Sequence, residues 1–497
     1  MPQLSALDAQ FLHFETVTNV ANIAGLAVLD GHLLRADLQD LLQRRLPYVP
    51  ALRRKLAPVP LGLDHPYWQE EDDLDLDYHV REIGLPPPGD DRQLAEQVAR
   101  LHSRRLDRGR PLWEIYLIHG LPGDRTALYT KIHHAAVDGI GGADVLAALL
   151  DVTPEPAPPP PVEPEHDQPP PGLAEMVARG LARLATNPAH AVRFAADAVP
   201  HLDEIPVVSR LPGAALVSGI ARRLAGEGHA PDLPVLPAPR TPFSGPVSAH
   251  RRYAFVSLPL EEIKQVRKAF GVTVNDVVMA VCAGALRRWL AAHGGVPARP
   301  LVAGVPFSVR PGEGTGRSGE GSERSGEGAG RSGEGSGPGN QVAIMTAPLA
   351  VHLADPVERL HHVRQSMHRI KDRFSLAPAR WLREFSESMP AALMGLAARS
   401  AFGLVGQAAP PINLIVSNVP GPQFPLYVCG VRLLGNYPVS VITDVSGGIN
   451  ITAFSYDGWL DVGVVTDRDM VPDAWELTDD LRAALHELRE AEPGRPH

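Results

Sequence analysis

The sequence predicts an α/β fold. Three observations carry that prediction: a strand pair at 112–119 and 126–134, a long helix from about 275 to 293, and a second strand pair within 448–465. In the first pair, Gly120-Leu121-Pro122-Gly123-Asp124-Arg125 supplies the turn. Its second strand alternates so that Leu128, Thr130, Ile132 and His134 share one face, and Tyr129, Lys131 and His133 share the other. Downstream, Gly139 permits a tight turn, and 143–150 reads as a short apolar helix.

That hairpin delivers His133-His134-Ala135-Ala136-Val137-Asp138-Gly139, the stretch richest in chemistry. An imidazole titrates near neutrality, so His134 is assigned as the base that takes a proton from an alcohol attacking a thioester carbonyl. By strand alternation His133 points into the structure beneath and reads as a packing histidine. Asp138 is either a second catalytic group or an anchor for the loop through an ion pair, with anchoring favoured beside a tight turn. A metal pair of His134 and Asp138 is disfavoured, because 139–142 is glycine-rich and the two cysteines, Cys282 and Cys429, are distant in sequence.

The remaining elements follow in order. Pro111-Leu112-Trp113 opens the hairpin, and Trp113 is either core or the wall of an acyl tunnel. A proline-rich stretch over 154–171 cannot be helix or central strand and marks the clearest boundary. It divides an N-terminal half, 1–153, from a linker and helical crossover, 154–240, and a C-terminal half, 241–497. Within the crossover, Leu173, Met176, Val177, Leu181 and Leu184 form a helical stripe flanked by Arg179 and Arg183, suited either to core packing or to a lipid surface.

In the C-terminal half a strand at 253–258 precedes the long helix. Asn275 is a good N-cap for that helix, and its place at a helix N-terminus also suits an oxyanion. The segment 311–339, where Arg-Ser-Gly-Glu-Gly recurs, has no apolar seam and reads as a disordered surface insert between strands at 305–310 and 340–345. Ser417-Asn418-Val419-Pro420-Gly421-Pro422 ends a strand in a proline-fixed turn, and Asp457-Gly458 is a strong hairpin turn.

Composition bounds the function. With 497 residues, 44% apolar and 21% charged, the chain is long enough for two to four domain-sized cores and ordinary for a globular protein. A net charge of -10 offers no overall attraction to nucleic acid. Two cysteines and the absence of a signal-like start point to a reducing cytoplasm. The charge-free stretch 400–431 is broken by prolines and is not a membrane span.

With Leu7-Asp8-Ala9-Gln10-Phe11-Leu12, Pro111-Leu112-Trp113, the histidine motif, Asn275-Asp276, 305–310, 417–422 and 450–461 in this order, the chain resembles the bacterial wax ester synthase and acyl-CoA:diacylglycerol acyltransferase family. That family lies within the superfamily of chloramphenicol acetyltransferase and peptide-synthetase condensation domains. The resemblance implies two chloramphenicol acetyltransferase-like subdomains with mixed sheets and a tunnel at their interface. It implies direct transfer of a long acyl chain from acyl-CoA, a substrate and not a cofactor, to diacylglycerol or a fatty alcohol, with no covalent intermediate.

The same resemblance places His134, His133, Asp138, Gly139 and Asn275 in the catalytic site and Trp113, Asp276, Ser417 and Asn418 on the substrates. It pairs Asp138 with an arginine, for which Arg310 is best placed. The neutral-lipid product implies contact with a membrane or lipid-droplet surface. No metal, cofactor or nucleic acid is expected. A condensation-type enzyme using a carrier-bound donor and a non-catalytic lipid-binding or droplet protein are the alternatives; a carrier domain would favour the first, and the intact His134, Asp138 and Asn275 oppose the second.

Overall fold

The computed structural model describes residues 3–137, 149–155, 158, 169–183, 238–309, 341–374 and 412–493. Two six-stranded mixed sheets dominate it. The first has the order β11 (Tyr427–Val428), β12 (Val431–Val439), β1 (Asn22–Leu29), β6 (Thr126–His133), β5 (Trp113–His119) and β4 (Val80–Gly84). The second runs β7 (Arg251–Pro259), β14 (Trp459–Asp467), β13 (Ile449–Tyr456), β10 (Leu414–Val419), β8 (Leu301–Val309) and β9 (Gln341–Leu349). A small pair, β2 (Arg54–Ala57) and β3 (Tyr67–Glu70), completes the strands among the described residues.

The predicted hairpins form where expected. β5 and β6 pair antiparallel from Trp113↔Ile132 to Ile118↔Ala127. The β13–β14 turn places Asp457 at φ 42 and Gly458 at φ 85, the two positive angles that an Asp-Gly hairpin turn supplies. The segments flanking the insert are the antiparallel β8 and β9, in register up to Val309↔Gln341. The insert itself, like Arg310, lies outside the described residues.

Deleting 312–337 would leave Arg310, Pro311, Pro338, Gly339 and Asn340 to join that register, an ordinary hairpin length. Folding and turnover are expected to stay within about twofold of the full chain, because loop-closure entropy changes slowly with length. Thermal melting and coenzyme A release check this, and loss of activity with an unchanged melt would contradict it.

The C-terminal half lends strands to the N-terminal sheet, which the sequence boundary does not show. β12 pairs antiparallel with β1, from Ala24↔Val439 to Leu29↔Leu433, so the first sheet is completed by a segment about 400 residues away in sequence. Its core mixes Leu112, Leu128 and Ile132 with Val428, Leu433 and Tyr456. A third cluster joins Leu94, Val98 and Tyr129 to Phe255, Val439 and Val465. Where β14 passes β12, a Cβ on Gly463 would lie 1.8 Å from the Pro438 carbonyl oxygen, so only glycine permits this approach. Nearby, the buried Asp461 accepts hydrogen bonds from Ser257 Oγ at 2.6 Å and the Asn436 N–H at 2.8 Å, linking both sheets. Burial raises its carboxyl pKa to about 6.

The long helix spans Val274–Ala292 and buries Val277, Val278, Val281, Leu286 and Leu290 in the second core. Its cap corrects the expectation: Thr273, not Asn275, is the N-cap, accepting the Asp276 N–H. No single helix among the described residues is long and apolar enough to cross a membrane.

Of the crossover, residues 173–183 are described and helical. Met176 is buried, whereas Leu173 and Leu181 are exposed. The arginines are paired, Arg179 with Glu175 and Arg183 with Asp64 at 3.0 Å.

Candidate active site

β6 ends at His133, and a short helix, His134–Val137, begins with the next residue. His134 is therefore not the last member of an alternating strand face, as expected, but the first residue of a turn. Two neighbouring segments fix that turn: the His133 N–H donates to the Leu112 carbonyl at 2.9 Å and the His134 N–H to the Ala21 carbonyl at 2.8 Å.

His133 points inward, as predicted, and is fully buried. Its Nδ1 accepts the Ala135 N–H at 3.1 Å, so its ring proton resides on Nε2, which lies 3.5 Å from Glu15 Oε1. Arg108 Nη2 holds the other Glu15 oxygen at 2.8 Å. Burial pushes the Glu15 pKa up, but His133 and Arg108 together outweigh it and hold the carboxyl below its usual range. The Arg108–Glu15–His133 chain anchors the turn that presents His134.

His134 is partly buried and has no carboxylate partner among the described residues. Phe11 lies face to face with it, with ring centroids 3.8 Å apart and planes within 12°. Phe11 belongs to the helix Ala6–Phe14, capped by Ser5 and followed directly by Glu15. One N-terminal segment thus contacts both histidines. Burial, and then the neighbouring His133, lower the His134 pKa to about 4, against a smaller opposing effect of its own backbone. The imidazole is neutral at pH 7 and able to accept a proton.

The loop between that helix and β1 also reaches the second half. Asn19 Nδ2 donates to Asp444 Oδ2, and the Asp444 N–H donates to Asn19 Oδ1, each at 2.9 Å. Asp444 in turn accepts the Val247 N–H at 2.8 Å.

The other expected site residues divide. Asn275 and Asn418 come together, with Asn418 Nδ2 3.5 Å from Asn275 Oδ1. Ser417 lines a cavity of about 10 Å³ with Val278 and Cys282. No hydrogen bond among the described residues joins Asn275 or Asn418 to His134. Asp276 departs from the expected substrate role, since its buried carboxylate accepts the Thr273 N–H at 2.9 Å and closes the capping box. Trp113 departs likewise: it is 2% exposed, donates Nε1–H to the Leu52 carbonyl at 2.6 Å and stacks on His79 at 4.3 Å. It packs within the first core, beside Leu112 and Ile115. Asp138, Gly139 and Arg310 lie outside the described residues, and with them the expected ion pair.

Phe11, Glu15 and Arg108 were not singled out as site residues from the sequence. The 7–12 motif contained Phe11, but helical spacing alone does not distinguish a ring that stacks on a base from one that packs in a core.

Two mixed sheets, the first completed by strands of the C-terminal half, with a histidine pair at the end of a central strand, define an acyltransferase fold of two subdomains. A family model described as the wax ester synthase/diacylglycerol acyltransferase catalytic domain matches residues 4–278, and one for the WS/DGAT C-terminal domain matches 338–489. The chain belongs to the wax ester synthase/diacylglycerol acyltransferase family, and it is an acyltransferase. A Mycobacterium tuberculosis protein named for diacylglycerol O-acyltransferase activity is 34% identical across 100% of this chain and 92% of its own length. A Mycobacterium bovis protein similarly named is 33% identical over 97% of this chain and 98% of its own. The solved wax ester synthase/diacylglycerol acyltransferase of Marinobacter aquaeolei is 26% identical, with a TM-score of 0.67, covering 99% of this chain and 100% of that one.

Proposed function

We propose that this protein transfers a long acyl chain from acyl-CoA directly to the hydroxyl of diacylglycerol or a fatty alcohol, with His134 as the general base. The observation that carries the reading is the neutral, partly buried His134 imidazole, oriented by Phe11 at the end of β6. As the acceptor oxygen attacks the thioester carbonyl, the imidazole takes the hydroxyl proton; collapse of the tetrahedral intermediate breaks the carbon–sulfur bond and releases coenzyme A, whose sulfur regains a proton. Phe11 and the Arg108–Glu15–His133 chain position the base without touching the reacting atoms.

Among the described residues no serine or cysteine side chain hydrogen-bonds His134, which supports a ternary complex over an acyl-enzyme. Asn275, in the first turn of a 19-residue helix and beside Asn418, is the pair we assign to the carbonyl oxygen that gains negative charge. No cofactor or metal takes part in this scheme. Because the substrates partition into lipid, the reading includes peripheral contact with a membrane or lipid-droplet surface. The tunnel between the subdomains, entered by acyl-CoA from one side and acceptor from the other, belongs to the same reading.

The test is coenzyme A release across a panel of fatty alcohols, monoacylglycerols and diacylglycerols, with products identified by mass. Triacylglycerol or wax ester should appear in step with thiol release, and the enzyme's intact mass should remain unchanged when acyl-CoA is supplied alone. An acylated enzyme in that control would overturn the direct transfer.

A further inference from the structure

The helix Pro356–Phe374 buries Leu360, Val363 and Met367 in the second core, and its Arg359 turns inward to Glu487 at 3.0 Å. Its opposite face carries His361, Arg364, Gln365, His368 and Arg369, spaced at i, i+3, i+4, i+7 and i+8, so they form one stripe. Arg364 is half-buried, and the other four are exposed. From Arg359 to Lys371 the helix contains no acidic residue, and Asp372 is the one carboxylate between Arg359 and Phe374. Among residues whose side chains are described, neither Arg364 nor Arg369 forms an ion pair, unlike Arg179 and Arg183. The positive surface extends to a second helix: Phe270 meets His361 edge-on at 6.4 Å, and the turn that it ends carries the exposed Arg267 and Lys268.

Arginines with no ion-pair partner among the described side chains, concentrated on one face of a chain with a net charge of -10, need a physical reason. We infer that this stripe docks the enzyme on an anionic phospholipid surface, with Arg364 and Arg369 engaging lipid phosphates. Charge complementarity selects this occupant, because fixed guanidinium charges gain most where anionic headgroups are dense. The inference rests on the peripheral lipid contact proposed above and moves that contact from the 173–183 helix, whose arginines are already neutralised by Glu175 and Asp64.

The test is co-sedimentation of the full chain with vesicles of phosphatidylcholine alone or mixed with phosphatidylglycerol. The wild type should bind the mixed vesicles, bind less as salt rises, and leave the neutral ones in solution. The double variant Arg364→Gln/Arg369→Gln should bind about twenty-fivefold more weakly, at roughly fivefold per arginine. Its turnover of detergent-dispersed diacylglycerol should be unchanged, and Arg179→Gln/Arg183→Gln should bind like the wild type. Undiminished vesicle binding in the Arg364/Arg369 variant would overturn the stripe while leaving peripheral contact standing. A wild type that binds neither vesicle would overturn both. If vesicle binding persists while the KM for acyl-CoA rises, the phosphates recognised are those of coenzyme A, and the docking role is overturned.

Discussion

His134→Ala is expected to lower kcat by about 10² to 10⁴, the usual contribution of a positioned general base, while the KM for acyl-CoA stays within about threefold. His133→Ala should cost less, because His133 faces Glu15 rather than substrate. Phe11→Leu should fall between them, with Phe11→Tyr restoring most of the rate, since the stack orients the base without taking a proton. Equal residual kcat in the two folded histidine variants would remove the assignment. The pH profile provides a second check. His134 has a folded pKa of about 4, below its ordinary 6.5, so the base remains unprotonated as pH falls until it nears the lower value. The rate should therefore be level from about pH 7 to pH 5, and a decline centred near 6.5 would show that burial does not hold the imidazole neutral.

Removing Glu15 should have the largest effect on stability. Glu15→Ala takes the buried carboxylate from the exposed Arg108 and from beside His133 Nε2, and losing a charge-assisted hydrogen bond of this kind costs about 2 kcal/mol. Denaturant unfolding should show that loss, together with a drop in kcat as the turn before His134 loosens. The pH dependence has a definite sign. A carboxyl held below its ordinary value stabilises the fold above the unfolded pKa near 4.5, and that contribution disappears as pH falls through the lower folded value. A loss under about 1 kcal/mol in Glu15→Ala would show that the chain from Arg108 to His133 does not anchor the turn.

Much of the architecture was legible because it is local. The alternation of 126–133 and the Asp457-Gly458 turn each encode a hairpin within a few residues, where side-chain period and φ preference act directly. Strands flanking the insert were legible because a glycine-rich segment lacks the apolar surface to compete with them. The inward direction of His133 followed from the same alternation.

Local patterning also set the limits. Asparagine is a good cap in general, but the residue two positions earlier, Thr273, took that place once Asp276 could close the box with it. The large ring of Trp113 signalled burial of some kind, and only the tertiary structure showed Leu52 and His79 as its partners.

By itself the sequence determined the strand and helix periods, the turn chemistry and the presence of a histidine pair at a strand end, all properties of neighbours along the chain. The tertiary structure decided that β12 completes the N-terminal sheet, that Asn275 meets Asn418, and that Phe11 and Glu15 fix the two histidines. Those contacts depend on which distant surfaces bury one another, and burial, which also sets the protonation of His134, is a property of the packed chain and not of any segment.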